Sequence, residues 1–508
     1  MKLSEILYPG EYVSEWNAEK IEFGRIVSST EETLENNLFI CIKGTRFDSH
    51  YCLSAVAASG AAAAIAQRGA IVETPPSLPV FFVEDTRLIY ALLWSRTCDS
   101  PGDRLHLIGV TGTNGKTSTS HMLRAILEHH GYKTGIVGTA GCATQKTSFL
   151  PDGEFGKTAS MTTPDPEILY PMLRAMADDG VEYVILEASS HALELRKLAP
   201  LHFDAAIFTG LSPEHLDFHQ TMENYLAAKA HLFRMSDVGI INADSEYAEK
   251  LAAMATCPCI SCGAVYAAEI QAREIDYCLS LAVAYTYTHG KECVEISVPI
   301  PGIFTVYNSL LAIACAEAIG IPAAEGGAAL EKIAPIPGRL ERLKLDSLDC
   351  GFAIYIDYAH TPAAMENVLA SAIRFKGSGR LIVLFGCGGD RDHGKRAPMG
   401  AVAAKYADLV IITSDNPRSE NPQRIIMNIL AGIPAEKQST VIVNRERAIR
   451  HAIHIAESGD TVLLIGKGHE QYEINQSGKH YFSERAIVLD QLKKRKKNME
   501  QSSHESGL

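Results

Sequence analysis

The sequence has no surplus of positive charge, no long apolar run and no paired cysteine motif, and each lack excludes a class of protein. Lys and Arg number 47 against 60 Asp and Glu, a formal net charge of −13. That balance argues against nucleic acid or an anionic membrane as the main partner, while leaving room for an anionic substrate in a local basic pocket. No stretch approaches the length of a membrane span. The alanine-rich Ala55–Ala66 is broken by Ser59-Gly60, and MKLSEILYPGEYVSEW lacks the uninterrupted apolar core of a signal peptide. The 12 cysteines are irregularly spaced. The tight group Cys257-Pro258-Cys259-Ile260-Ser261-Cys262 holds a single CxxC with no second pair to complete a four-ligand metal site, so free thiols around a strand are expected. A nucleophile elbow, G-x-S-x-G, is also missing. The expectation is therefore a soluble, cytoplasmic protein with neither nucleic acid nor membrane as partner, and a monomer is expected.

The chain of 508 residues exceeds one ordinary core. The spacing of apolar runs predicts an α/β protein of three domains. Residues 1–100 read as a small α/β unit with strands near Asn37–Ile42 and Val80–Val83 and a helix near Tyr51–Gly60. Residues 101–335 read as a mostly parallel sheet covered on both faces, with runs at Lys133–Val137, Tyr183–Leu186, Ala205–Phe208 and Val238–Ile241. A block richer in strand, Ala268–Pro301, and a helix near Asn308–Ile319 complete it. After Ile336-Pro337-Gly338, residues 336–492 form a third, Rossmann-like series with runs at Ala353–Ile356, Leu381–Phe385, Leu409–Ile412, Thr440–Val443 and Thr461–Ile465. Residues 493–508 are expected to be a frayed polar tail.

The central series opens on the densest chemical signal, LHLIGVTGTNGKTSTSH (Leu105–His121). An apolar strand turns through glycines into Lys116-Thr117 and a helix with Met122, Leu123, Ile126 and Leu127 on one face. Strand, glycine turn, Lys-Thr and helix make a phosphate cradle. Backbone N–H groups and the helix N-terminus face an anion, the lysine adds a full charge, and the threonine hydroxyl can hold Mg²⁺. The first glycine of the common G-x-x-x-x-G-K-[ST] pattern is absent, since Val110 stands there, leaving the shorter Gly112-Thr113-Asn114-Gly115-Lys116-Thr117.

Other polar motifs follow strand ends, where open α/β sheets bind ligands. In the central series these are Glu187 in LEASSHAL and Thr209 before SPEHLDFH. Glu187 and His215 are placed beside the cradle, where they could share a divalent cation. Ser189-Ser190-His191 reads equally as a helix cap, His219 and Asp217 are as consistent with surface positions, and pattern alone makes Lys229 a surface lysine. In the third series four motifs follow four strands: Asp357-Tyr358-Ala359-His360, Gly386–Arg391, Asp415-Asn416-Pro417-Arg418 and Gly466-Lys467-Gly468-His469-Glu470. Arg391 and Arg418 suit carboxylates, and Asp415 with Glu470 suits an ammonium group. Together they describe a pocket for a small zwitterion.

Ten motifs in order carry a resemblance to the Mur ligases, ATP-dependent amide-forming enzymes of peptidoglycan precursor synthesis: TGTNGKT, TTPD (Thr162–Asp165), EASSHAL, HLDFH, AAK (Ala227–Lys229), PGRLER (Pro337–Arg342), DYAHTP, GGDRD, DNPR and GKGHE. Within that family the chain looks most like the ligases that add the third residue of the stem peptide. The resemblance implies ATP and Mg²⁺ as cofactors, and UDP-N-acetylmuramoyl-L-alanyl-D-glutamate and meso-diaminopimelate as substrates joined through an acyl phosphate. It implies that Lys116 and Thr117 serve the phosphates, that Glu187 and His215 ligate metal with Thr117, and that Lys229 becomes a carbamate ligand. It places Asn308, Arg339 and Asp357 at ATP; Ser29, Thr162, Thr163, Ser189 and Lys197 at the acceptor; and Arg391, Asp415, Asn416, Pro417, Arg418, Gly466 and Glu470 at the amino acid. DNPR accompanies diaminopimelate, whose second carboxylate Arg418 would meet. On the acceptor side the chain departs from the family pattern, with Ser28-Ser29-Thr30 for Asp-Ser-Arg, Gly210 for Asn, Glu214 for Asp, Lys197 for Arg and Thr305 for Asn. A divergent paralogue with a different carboxylate acceptor is therefore the alternative reading.

Overall fold

A computed structural model describes residues 1–505 apart from 33–34, 45–46, 71–72, 145–160, 278–280, 346–347 and 349. Three larger sheets organise the chain. The first has five strands in the order Tyr12–Val13, Val80–Val83, Ala63–Gln67, Leu38–Ile40, Ile26–Val27, parallel except for the first pair. Alternation across the pleat gives it two cores: Leu38 and Ile40 join Leu3, Phe81 and Leu93 on one face, while Phe39 and Cys41 join Leu53 and Val56 on the other.

The second sheet has ten strands. Its centre runs Ser236–Asn242, Phe203–Phe208, His106–Thr111, Tyr183–Glu187, Thr134–Gly138, all parallel. Ile108 and Val110 face the helices Lys116–His129 and Ile303–Ala318, whose apolar faces supply Met122, Leu123, Leu310 and Ile313. Leu107 faces the opposite core with Leu173, Leu226 and Phe233 from the helices Pro166–Asp178 and Met222–Phe233. The strand-rich block does not form a separate sheet. Ile270–Asp276 joins this one in parallel through Cys259–Gly263, and Val283–His289 and Glu292–Val298 extend it antiparallel. The cysteine cluster lies at this strand as free thiols.

The third sheet has six strands, Glu341–Arg342, Ala353–Asp357, Thr461–Ile465, Leu381–Phe385, Leu409–Ile412, Ser439–Val441, parallel except at the first pair. Because the strands they follow are parallel, all four polar motifs emerge at one edge, with Thr461–Ile465 inserted between the first two strands of the expected series. The polar tail requires a correction: the last helix runs Glu484–Glu505, straight through Lys493. Its first turns bury Val488 and Leu492, four residues apart, and Arg495 Nη1 donates to the carbonyls of Ile453 and Ala456 at the end of the helix Arg445–Ile455. That anchoring holds the basic run in helix. Among the described residues no helix is long and apolar enough to cross a membrane.

Candidate active site

The glycine loop closes tightly on its neighbours. Gly112 has φ +146°, and a Cβ there would lie 1.9 Å from Thr209 Oγ1; Gly115, at φ +87°, would place one 2.6 Å from Asn308 Oδ1. Only glycine fits either position. Thr113 N–H donates to Gly210 O at 2.9 Å, and its hydroxyl lies 3.2 Å from Tyr225 OH. Asn114 is exposed at the tip, where its carbonyl accepts from Thr209 Oγ1 at 2.5 Å. Lys116 Nζ curls back to donate to Gly112 O at 2.9 Å and Thr113 O at 3.0 Å.

Lys229 overturns its surface reading. It is 1% exposed, and its Nζ donates to the same Gly112 carbonyl at 3.0 Å, 4.6 Å from the centre of the Tyr225 ring. In the helix Met222–Phe233 the partly exposed stripe runs through Glu223, Ala227 and His231, while Ala228, Lys229 and Ala230 are buried in succession, so the lysine faces the interior. Burial, reinforced by the Lys116 charge, pushes Lys229 well below the ordinary lysine range, and burial also lowers Lys116. Among the described residues neither amine has a carboxylate within 4 Å. Two amines on one carbonyl, with Glu187 and Glu214 near but not in contact, fit a phosphate-bearing ligand.

Glu187, fully buried at its strand end, accepts from Thr139 N–H at 3.2 Å and from Thr139 Oγ1 at 2.9 Å. Thr162 shares that hydroxyl at 2.9 Å. Thr163 Oγ1 donates to Glu187 O at 2.7 Å and accepts from Ser189 N–H at 3.0 Å, while Ser189 Oγ caps the helix Ser190–Glu194. The cap reading of Ser189 thus holds alongside its place in the crevice. His215 sits at φ +56° with a half-exposed ring whose Nε2 is 3.8 Å from Glu214 Oε2. His219 proves buried, its Nε2 2.9 Å from Ser190 Oγ, whereas Asp217 is exposed. Among the described residues no group of three or more His, Cys, Asp or Glu could hold a metal. A cation beside Thr117 and Glu187 would therefore draw on hydroxyl, phosphate and water oxygens, the donor set that Mg²⁺ favours.

The third sheet reaches the cradle through Arg339, whose Nη2 donates to Thr117 Oγ1 at 2.8 Å and whose guanidinium lies 4.7 Å from the centre of the Tyr358 ring. Asp357 accepts from Leu340 N–H at 2.6 Å and Ala359 N–H at 2.7 Å, so its carboxylate sets the turn that carries Arg339. Burial raises its pKa against the pull of Arg339. Asn308 Oδ1 accepts from Thr119 Oγ1 at 3.3 Å, beneath the loop. A second bridge joins the DYAHTP motif to the residue before HLDFH: His360 Nε2 meets Glu214 Oε1 at 3.2 Å. Burial would raise Glu214, but His360, His215 and Lys116 hold it well below the usual carboxylate range.

At the far edge the amino-acid motifs converge. Asn416 Nδ2 donates to Glu470 Oε2 at 2.9 Å, and Gly389 N–H donates to Asn416 O at 2.9 Å. A Cβ on Gly389 would stand 2.0 Å from Pro417 O, and one on Gly466 (φ +117°) 2.8 Å from Asp415 Oδ2. Arg418, at φ +51°, donates through Nη1 to Gly389 O at 2.8 Å. Burial lowers its pKa, as does the neighbouring charge of Arg391, which is exposed at the mouth. Burial and the repulsion of Asp415 raise Glu470. On the opposite side a cavity of about 550 Å³ between the first and second sheets is lined by Ser29, Arg87, Tyr90, Glu167 and Lys197. Lys197 pairs there with Asp165 at 2.6 Å. Ser29 and Lys197 thus share one cavity, separate from the amino-acid edge.

This arrangement can be set beside known proteins. Residues 110–316 match the Mur ligase middle domain and residues 338–468 the Mur ligase glutamate ligase domain. The UDP-N-acetylmuramoyl-L-alanyl-D-glutamate--2,6-diaminopimelate ligase of Syntrophomonas wolfei is 38% identical over 481 residues, covering 93% of this chain and 95% of its own. The chain belongs to the Mur ligase family. The Clostridioides difficile protein of the same name is 37% identical, covering 97% of this chain and 100% of its own. A solved structure of a UDP-N-acetylmuramoyl-L-alanyl-D-glutamate--2,6-diaminopimelate ligase superposes with a TM-score of 0.64 at 27% identity, covering 97% of this chain and 99% of its own. Family membership makes this Mur ligase an ATP-dependent, amide-forming enzyme. Motif reading gave no role to Thr139, to Glu214 beside HLDFH or to Lys467 within GKGHE. Each nonetheless carried a signal, Thr139 as the first polar residue after a strand and the other two through their motifs.

Proposed function

We propose that the protein joins meso-diaminopimelate to UDP-N-acetylmuramoyl-L-alanyl-D-glutamate in the cytoplasm, as a monomer, through an acyl phosphate made with ATP. The observation that carries this reading is the convergence of Arg418 and Arg391 beside Asp415, Asn416 and Glu470, two cations and two acids around one edge, facing a lysine-lined phosphate cradle. Relatives matching nearly the whole chain bear the name of that reaction. The units follow the sheets, with boundaries near residues 100 and 335.

A carboxylate is a poor electrophile for an amine, and phosphorylation supplies it with a leaving group. Lys116, Gly112–Thr117 and Arg339 hold and neutralise the phosphates, with Asn308 and Asp357 completing the nucleotide site. Thr162, Thr163, Ser189, Ser29 and Lys197 orient the acceptor. Thr117, Glu187, His215 and a modified Lys229 would hold Mg²⁺, which shields the transferring phosphoryl charge when bound. A lysine whose pKa is lowered by burial more readily presents the neutral amine, which adds to CO₂ and loses a proton to form a carbamate; its remaining N–H can keep the bond to Gly112 O. The amine of diaminopimelate, steered by Asp415 and Glu470, attacks the acyl phosphate and releases phosphate. Arg418 accepts the distal carboxylate and would repel the side-chain ammonium of lysine.

The test is phosphate release from ATP by the purified protein with the UDP-muramoyl dipeptide and either diaminopimelate or lysine. Release with diaminopimelate is expected. Release only with a different acceptor or amino acid would overturn the reading.

A further inference from the structure

The GKGHE segment contains a lysine that lies behind the amino-acid edge, completely buried beneath the residues that line it. Lys467 is 0% exposed. Its Nζ donates to Asn416 Oδ1 at 2.9 Å and to the Tyr472 carbonyl at 2.8 Å, and lies 4.0 Å from Asp415 Oδ1 and 3.9 Å from Glu470 Oε2. Asn416 Oδ1 also accepts from Ile474 N–H at 3.0 Å. With two donors on Oδ1, the amide can point only one way, and its Nδ2 is left to donate to Glu470 Oε2 at 2.9 Å. The same contacts tie the hairpin Tyr472–Asn475 and Gly478–Tyr481 to the DNPR loop, where Arg418 N–H donates to Ile474 O at 3.0 Å.

We infer that Lys467 is the positioning residue of the amino-acid pocket: it fixes the Asn416 amide, and through it the Glu470 carboxylate, in the orientation that receives the substrate ammonium. This rests on the proposed reaction. A lysine serving only to fill space would not need both remaining lone pairs of its neighbours directed at it. Its charge lies between two acids that must both stay in the pocket, so it lowers their mutual repulsion without occupying the position of the incoming ammonium.

The experiment uses Lys467→Met, which keeps the length and removes the charge and donors, and Asn416→Asp, which keeps an acceptor for Lys467 but removes the donor to Glu470. For Lys467→Met the KM for diaminopimelate should rise about tenfold or more, the scale of losing hydrogen bonds to charged groups. The KM values for ATP and the UDP-muramoyl dipeptide should stay near wild type, as should kcat at saturating diaminopimelate. Asn416→Asp should show the same selective rise, and the double variant should be no worse than the worse single, because both act on one linkage. An unchanged KM for diaminopimelate in either variant, or an equal loss for all three substrates, would overturn the assignment. If Lys467→Met does not fold in a thermal melt, Lys467→Gln, which removes the charge at similar length, decides in its place, with the same two outcomes. A wild-type protein that ignores diaminopimelate would instead overturn the proposed reaction, so the two failures are distinguishable.

Discussion

Lys229 and Lys116 meet on one carbonyl, and this contact sets the first predictions. An amine that is 1% exposed, its pKa pushed well below the lysine range by burial and by a second amine, is better suited to react with CO₂ than to act as a cation. Lys229→Ala should lose nearly all activity and regain part of it with short added carboxylates, which can occupy the space of a carbamate. Full activity in that variant, measured by phosphate release, would contradict the carbamate role. Arg418 gives a contrasting case. Its guanidinium is anchored by the Gly389 carbonyl at 2.8 Å, on a loop of the third sheet and not of the sheet that carries the glycine loop. Arg418→Ala should raise the KM for diaminopimelate by about tenfold to a hundredfold, on the scale of a truncated charge-assisted pair, with ATP affinity unchanged. Equal losses for both ligands would remove Arg418 from the specificity pocket. Residue pattern alone put Lys229 on the surface, and only the resemblance, through AAK, placed it in the site. Its helix alternates small and large apolar residues so closely that no polar face separates in the sequence, and the packing shows the lysine to be interior.

At the scale of elements, short β-branched runs flanked by glycine or charge were read with their limits intact: Leu381–Phe385, Leu409–Ile412 and Thr461–Ile465 appear as expected. Their order in the sheet was not legible, because pairing is non-local and nothing within Thr461–Ile465 specifies its neighbours. The same holds for the strands after Ile270, whose alternation marks an edge without saying which sheet they extend. One contact between elements has a defined pH dependence. Arg396, buried in the helix Arg396–Tyr406, donates to Glu420 at 2.8 and 3.1 Å just before the helix Pro422–Leu430. Its guanidinium pulls the Glu420 carboxyl from 4.5 down to about 2. A depressed carboxyl contributes stability that is complete above its unfolded value and is lost as pH falls through the folded one. Denaturant unfolding should therefore show Glu420→Gln less stable than wild type at neutral pH, with the gap closing as pH falls from 4.5 toward about 2. A gap that does not change over that range would exclude the pair as a source of acid sensitivity.

The whole molecule is held with its third sheet against the glycine loop by two polar bridges, Arg339 to Thr117 at 2.8 Å and His360 to Glu214 at 3.2 Å. Both link residues from the turns of the third sheet to strand-end loops of the second, and Asp357 fixes the turn that aims Arg339. The arrangement has a consequence for nucleotide entry, because the Thr117 hydroxyl that accepts from Arg339 is also the one proposed to meet the metal. Arg339 must then transfer its bond to phosphate when the nucleotide arrives, so the bridge favours closure before binding and is replaced by a stronger contact after it. A charge-assisted bridge contributes about 1.5–3 kcal/mol, enough to shift an open–closed equilibrium roughly tenfold to a hundredfold. Arg339→Ala combined with His360→Ala should therefore leave the three sheets folded but separate the third from the second. Small-angle X-ray scattering without nucleotide would report this as a radius of gyration larger than wild type, while circular dichroism stays the same. The single variant Arg339→Ala should also weaken ATP binding, since the same guanidinium serves both states, whereas His360→Ala should change the radius with a smaller effect on ATP. Identical scattering for wild type and the double variant would mean that apolar packing around the Ile336–Gly338 turn, and not these two bridges, sets the closed shape.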